Sequence, residues 1–223
     1  MYIWDVSTGH VVRRIRAHAA QVNCVRYNHD SSVALSGSVD GSVKAWDLKS
    51  KSWEPIQTFD DAKDAISSMC VSDYEIITAS LDGQVRRYDL RKGQLCADNL
   101  RSKIKRRFHA LINPIMITAS IGNVILSNDK QSLLVNCINS KVKLIDKGTG
   151  EILAEYVTQR LKITHYFFQS FKGHKNGKYR VEGGFIDNDA YVVSGSEDGF
   201  VHVWDLIEVY SFINILFSML MYK

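Results

Sequence analysis

Only two prolines stand among 223 residues, which suits a sheet-dominated chain, because proline cannot donate to a strand ladder. Cysteine is also sparse. Cys24, Cys70, Cys96 and Cys137 never form a close pair, which argues against a zinc site and a disulfide framework. No phosphate-binding glycine loop, metal-ligand cluster or paired-carboxylate motif is present, so neither a cofactor nor an enzymatic activity is expected. The opening ten residues have no basic-then-apolar run and do not read as a signal peptide. A cytoplasmic location is expected, with the nucleus also open. The longest charge-free apolar run covers 209–222, 14 residues, short of the roughly 18 that a membrane-spanning helix needs. A formal charge of +4 argues neither for nor against nucleic acid. The 45% hydrophobic and 23% charged fractions are ordinary for a packed domain.

What the chain does have is a repeat. Trp4-Asp5-Val6, Trp46-Asp47-Leu48, Tyr88-Asp89-Leu90, Ile145-Asp146-Lys147 and Trp204-Asp205-Leu206 share one phrase, an aromatic or apolar residue followed by Asp. Three are preceded by a turn of one type: Gly37-Ser38-Val39-Asp40-Gly41, Ala79-Ser80-Leu81-Asp82-Gly83 and Gly195-Ser196-Glu197-Asp198-Gly199. The first two intervals are both 42 residues, from 4 to 46 and from 46 to 88. That period, with an Asp-Gly turn before each aromatic-Asp pair, is the signature of a WD-repeat β-propeller. Short β-branched runs between Asp, Gly and Asn turns read as hairpins, and about four such strands make one blade. The expected fold is therefore all-β, an incomplete propeller over 1–208 with blade units near 1–16, 17–60, 61–98, 99–156 and 157–208. About four and a half blades are expected of seven, with Met1 starting inside a blade. Residues 19–90 should be the most regular part.

Two groups imitate a hydrolase triad: His18, Ser36 and Asp40, and again His174, Ser194 and Asp198. A catalytic triad is needed once, whereas this one returns with the repeat and ends each time on Trp46 or Trp204. The likeness to WD-repeat propellers implies a structural hydrogen-bond network, and a satisfied buried network of that kind holds a blade in register. The middle repeat keeps Thr78, Asp82 and Tyr88 but has Ala62 where His18 aligns, so its network should be weaker. The basic run Arg101, Lys103, Lys105, Arg106 and Arg107 reads as a solvated loop, with an import or nucleic-acid patch as the alternative. Tyr88-Asp89-Leu90-Arg91 is a weak match to the box by which some propellers dock on cullin ubiquitin ligases.

Longer strings carry a more specific resemblance. Gly83-Gln84-Val85-Arg86-Arg87-Tyr88-Asp89-Leu90-Arg91 and Lys172-Gly173-His174-Lys175-Asn176 are not generic phrases of the repeat. With Gly9-His10-Val11-Val12-Arg13-Arg14 and Ser38-Val39-Asp40-Gly41-Ser42, they resemble the mitogen-activated protein kinase organizer family, seven-bladed WD-repeat scaffolds. The resemblance covers roughly 1–97, 126–156 and 172–208. It implies a non-catalytic scaffold for kinase-cascade proteins, or a propeller subunit associated with the spliceosome. A substrate receptor of a cullin ligase is the third reading. All three imply protein partners, with no small-molecule substrate, no direct nucleic acid and no membrane.

Three stretches depart from the family: one within 99–124, one at 157–169, and 209–223. The later intervals lengthen accordingly, from 88 to 145 and from 145 to 204. Val157 and Val209 open two of them, and every valine codon begins with the bases of a splice donor. Phe167-Phe168-Gln169 can be encoded as a pyrimidine tract ending in an acceptor AG. The stretches therefore read as translated introns, with genuine loop insertion as the alternative, since propeller loops tolerate it. In 209–223, Phe212, Leu216 and Met219 fall at i, i+4 and i+7, which predicts a short helix or an irregular segment instead of a blade strand.

Overall fold

Residues 1–50, 52–89, 94–95, 119–157, 174–206 and 212–216 are described in the computed structural model. Among them every regular element is a strand, and each four-stranded sheet is an antiparallel meander in chain order. The chain divides into two compact units, Met1–Asn99 and Leu100–Lys223. The fold is that of an incomplete WD-repeat β-propeller.

In the first unit a two-stranded sheet, β1 (Tyr2–Trp4) and β2 (Val11–Arg14), precedes two complete sheets. One holds β3 (Val22–Tyr27), β4 (Val33–Ser38), β5 (Val43–Asp47) and β6 (Gln57–Phe59). The other holds β7 (Ile66–Val71), β8 (Glu75–Ser80), β9 (Val85–Asp89) and β10 (Gln94–Leu95). Strand β4 is buried on both faces, because successive side chains point to opposite sides of a sheet. Ala34 joins Ile15, Ala17 and Trp46 on one side. Leu35 joins Ile66, Met69, Ile76 and Tyr88 on the other. The blades are therefore welded by continuous apolar layers. Gly37 marks how closely they approach: a Cβ there would lie 2.7 Å from Cys24 Sγ and 2.7 Å from Ile66 Cγ2.

In the second unit, β11 (Ile121–Leu126), β12 (Ser132–Cys137), β13 (Lys141–Asp146) and β14 (Ile152–Val157) form one sheet. The next is β15 (Gly183–Ile186), β16 (Tyr191–Gly195), β17 (Phe200–Asp205) and β18 (Phe212–Leu216). Leu134, Val142, Leu144, Val192 and Trp204 form the shared core of these two sheets. The repeat is visible in its irregularities as well. Register shifts at Val22/Cys24, Ile66/Ser68 and Ile121/Asn123 put a bulge at the same point of three first strands. The turn glycines Gly41, Gly83 and Gly199 have φ of 80°, 77° and 85°, a region open to glycine at little cost.

The structure corrects three boundaries. The helix expected within 209–223 is a strand: β18 pairs with β17 from Trp204↔Phe212 to Phe200↔Leu216. Without it the outer edge of β17 would leave a row of unpaired N–H and C=O groups. A segment rich in Phe and Ile without Pro or Gly satisfies that edge better than an isolated helical turn. Residues 121–124 belong to β11, and Val157 ends β14 opposite Lys141. Residues 121–124 and Val157 thus lie in strands, not in loops outside the sheets. The remainder of those stretches, Cys96, Leu90-Arg91 and the basic run at 101–107 lie outside the described residues.

Candidate functional site

In the first complete sheet the turn brings His18, Ser36, Asp40 and Trp46 into one chain of hydrogen bonds. Trp46 Nε1 donates to Ser36 Oγ at 2.9 Å. Ser36 Oγ lies 2.8 Å from His18 Nε2, and His18 Nδ1 lies 3.0 Å from Asp40 Oδ2. A carboxylate only accepts, so the imidazole proton sits on Nδ1 and Ser36 donates to Nε2. Asp40 Oδ1 also accepts from Ser42 N at 2.9 Å and Ser42 Oγ at 2.6 Å. The Ser36 hydroxyl is fully buried and so is the imidazole, hence no substrate reaches either. Burial pulls the His18 pKa below the ordinary 6.5, against the opposing pull of Asp40.

The second sheet is built differently. Asp82 receives Arg86 Nη2 at 2.6 Å and Nη1 at 3.3 Å, a two-pronged ion pair, together with the N–H groups of Lys63 and Gln84. Burial alone would raise the Asp82 pKa, but Arg86 and these N–H donors hold it below the ordinary carboxylate value. Tyr88 fills the place of Trp46, and burial followed by the charge of Asp61 pushes its phenol upward. Thr78 acts on the Tyr88 hydroxyl as Ser36 does on Trp46, but without a hydrogen bond of ordinary length and angle.

The last sheet divides its expected quartet between two histidines. His174 Nε2 lies 3.1 Å from Ser194 Oγ. Asp198, expected beside His174, instead faces His202 Nε2 at 3.5 Å. The His202 ring stacks on Trp204 at 5.9 Å and meets His174 edge-on at 6.1 Å. Ser194 Oγ also accepts from Asn136 Nδ2 of β12 at 3.1 Å, so this network is tied to the neighbouring sheet. Close packing enforces the tie, since a Cβ on Gly183 would come within 2.8 Å of Asn136 Nδ2.

Arg86, His202 and Asn136 were missed from sequence. The first two had a signal: the residue two before the repeat's Asp-preceding position is Lys44, Arg86, Lys143 and His202, basic in all four complete sheets. Of that row, Arg86 and His202 face the turn acid of their own hairpin, whereas Lys143 pairs with Glu155 and Lys44 donates to the Ala17 carbonyl. Asn136 had none, because its partner belongs to another repeat. Among the described residues, no three His, Cys, Asp or Glu side chains stand together as a metal site.

A pH dependence follows from the two buried imidazoles. Burial, then the charge of His202, lowers the His174 pKa below 6.5, and His18 is lowered likewise. Below pH 6.5 the unfolded chain takes up protons that the folded chain refuses, so stability must fall with acidification. Urea midpoints are expected to be flat from pH 8 to 7 and to decline from 6.5 towards 5. Asp40, Asp82 and Asp198, held below 3.8, add their loss only at lower pH. His174→Gln should reduce the slope between pH 6.5 and 5 and cost about 1–3 kcal/mol at pH 7.5 through unpaired polar groups. An unaltered slope in that variant would exclude His174 as a source.

Residues 9–47 and 166–205 match the family described as "WD domain, G-beta repeat". Both stretches are WD40 repeats. It is 32% identical to the WD repeat domain-containing protein 83 homolog of Dictyostelium discoideum, across 93% of this chain and 63% of that protein. To WD repeat domain-containing protein 83 of Rattus norvegicus it is 45% identical, across 72% of this chain and 41% of the relative. The human protein of that name gives 44% over 70% of this chain and 39% of its own length. The chain thus spans between about two fifths and less than two thirds of these relatives. WD40 domains generally mediate protein–protein interaction.

Proposed function

We propose that this chain is a non-catalytic scaffold segment that gathers components of a mitogen-activated protein kinase cascade, in the cytoplasm and also the nucleus. The supporting observation is that the serine and histidine of both triad-like groups are buried inside their sheets. Ser36 and Ser194 are fully buried, each within hydrogen-bond distance of its own histidine, and Ser194 also accepts from Asn136 of the adjacent sheet. What remains for function is the surface of turns and loops carried by rigid sheets. The resemblance of Val85-Arg86-Arg87-Tyr88-Asp89 and its neighbours to the kinase-organizer family supplies the partner class. A scaffold acts by proximity: two proteins bound to one rigid body meet at a raised effective concentration.

Affinity capture with the full chain, read by quantitative mass spectrometry, tests the reading. Kinases of one cascade should be enriched over a capture with Trp46→Ala, in which the sheet carrying the loops is weakened. Enrichment of splicing factors or of a cullin adaptor in their place would overturn the kinase assignment in favour of the corresponding role.

A further inference from the structure

The segment 174–180 approaches β15 along the rim of the second unit, and its inward and outward residues alternate. His174 and Asn176 are buried, whereas Lys175, Lys178, Tyr179 and Arg180 are exposed, Tyr179 at 61%. Its backbone is clamped from both sides. Ser140, on the turn between β12 and β13, donates N–H to Asn176 O at 2.8 Å and accepts Asn176 N on its hydroxyl at 2.9 Å. From the turn between β16 and β17, Glu197 N donates to Lys175 O at 2.8 Å, and Ser196 Oγ accepts Lys175 N at 2.7 Å.

Between these clamps three successive amides converge on one point. The N–H groups of Gly177, Lys178 and Tyr179 reach a single oxygen, Glu197 Oε1, at 3.0, 2.6 and 2.8 Å. Consecutive N–H groups aimed at one point form a concave anion receptor, and here the chain's own carboxylate occupies it. Glu197 is itself exposed, so exchanging it for another carboxylate buries and uncovers little. The surrounding cations favour the exchange. Among the described residues neither Lys175 nor Lys178 has an acidic partner, and Lys178 Nζ stands 5.4 Å from the Tyr179 ring centroid. The nearby acid Asp198 is turned to His202 and to the N–H of Phe200. Glu182, exposed just beyond the segment and before β15, opposes the field and sets its limit.

We propose that 175–180 is a docking site for an acidic, Asp/Glu-rich segment of a partner protein, one of whose carboxylates takes the amide cradle now filled by Glu197. Glu197 is then a resident stand-in that keeps the loop shaped and is displaced on binding. Lys175 and Lys178 supply the charge that the stand-in does not use, and Tyr179 offers a flat apolar face. The inference rests on the reading of the chain as a protein-binding scaffold and names the partner chemistry of one of its surfaces.

The test is titration of the full chain with a fluorescein-labelled octaglutamate peptide at low salt, by anisotropy and by amide NMR. The expected result is binding that shifts the Gly177, Lys178 and Tyr179 amides. Lys175→Glu with Lys178→Glu should weaken it at least tenfold, with the β16–β17 amide signals retained as evidence of folding. Should those signals be lost, Lys175→Gln with Lys178→Gln replaces it, with at least a threefold loss expected. Glu197→Ala should bind at least threefold more tightly than Glu182→Ala, which changes the charge equally but leaves the cradle filled. Equal affinity in these two variants, or unmoved amides at 177–179, would overturn the proposal. So would tighter binding of an oligouridylate RNA at the same amides. If the charge-reversed chain captures protein partners undiminished, the docking site falls while the scaffold reading stands.

Discussion

Asp82→Asn and Arg86→Met are each expected to destabilise the first unit by about 3–5 kcal/mol, the range for stranding one member of a buried ion pair. The pair earns this expectation from its surroundings: the side chains are 4% and 9% exposed, with Nη2 to Oδ2 at 2.6 Å. In Asp82→Asn the guanidinium stays buried with its counter-charge gone. In Arg86→Met the carboxylate stays buried without its guanidinium, while the N–H groups of Lys63 and Gln84 still reach it. The double variant should recover most of the loss, because neither charge is then stranded, and its cycle should show coupling well beyond the ~0.5 kcal/mol scatter of independent sites. Urea denaturation followed by hydrogen exchange at Thr78 and Val85 reads the effect where it arises. Additive losses would show that Arg86 does not hold the Asp82 turn.

The same pair shows what was legible in the sequence. Turn type, repeat period and strand order were all readable, because each depends on residues within a few positions: an Asp whose carboxylate caps its own turn, a Gly at positive φ, an alternating run. Which side chain the Asp would face was less readable. Ala62 in place of a histidine suggested a weakened turn, but Arg86 lies across the hairpin and takes up the carboxylate from there. In the last sheet, His174 precedes the turn at the expected distance, yet His202 faces Asp198. Both outcomes turn on the row two residues before the aromatic position, which the triad-like pattern left out. Residues 212–216 failed for a different reason. Five apolar and polar residues in that order satisfy helical and strand spacing equally well, and the choice is made by the free edge of β17, a partner that local pattern does not contain. The link from Asn136 to Ser194 was beyond reach altogether, since it joins two repeats whose registers are set independently.

Trp46→Ala is expected to cost about 3–5 kcal/mol, as large-to-small changes at buried aromatics do. Trp46 is 2% exposed and lies in a cluster with Ile15, Ala17 and Ala34, against which Met1 and Ile3 also rest. Removing the indole opens a cavity between the two-stranded sheet and the first complete one. It also withdraws the donor that fixes Ser36 Oγ. The two contributions separate with Trp46→Phe, which retains most of the ring but lacks Nε1. Ser36 keeps its bond to His18 in that variant, so only one buried hydrogen bond is lost, worth about 1 kcal/mol. The next repeat places Tyr88 at this position and still buries it fully, with its ring 4.6 Å from that of Phe59. Tyrosine is thus compatible with the site in a repeat whose turn acid is held by an arginine. Urea midpoints and hydrogen exchange at Leu35 and Ala45 are the measurements. The order expected is Trp46→Phe mildest and Trp46→Ala most severe. Equal losses for the two would mean that the hydrogen bond, not the packing, carries the stability of this blade.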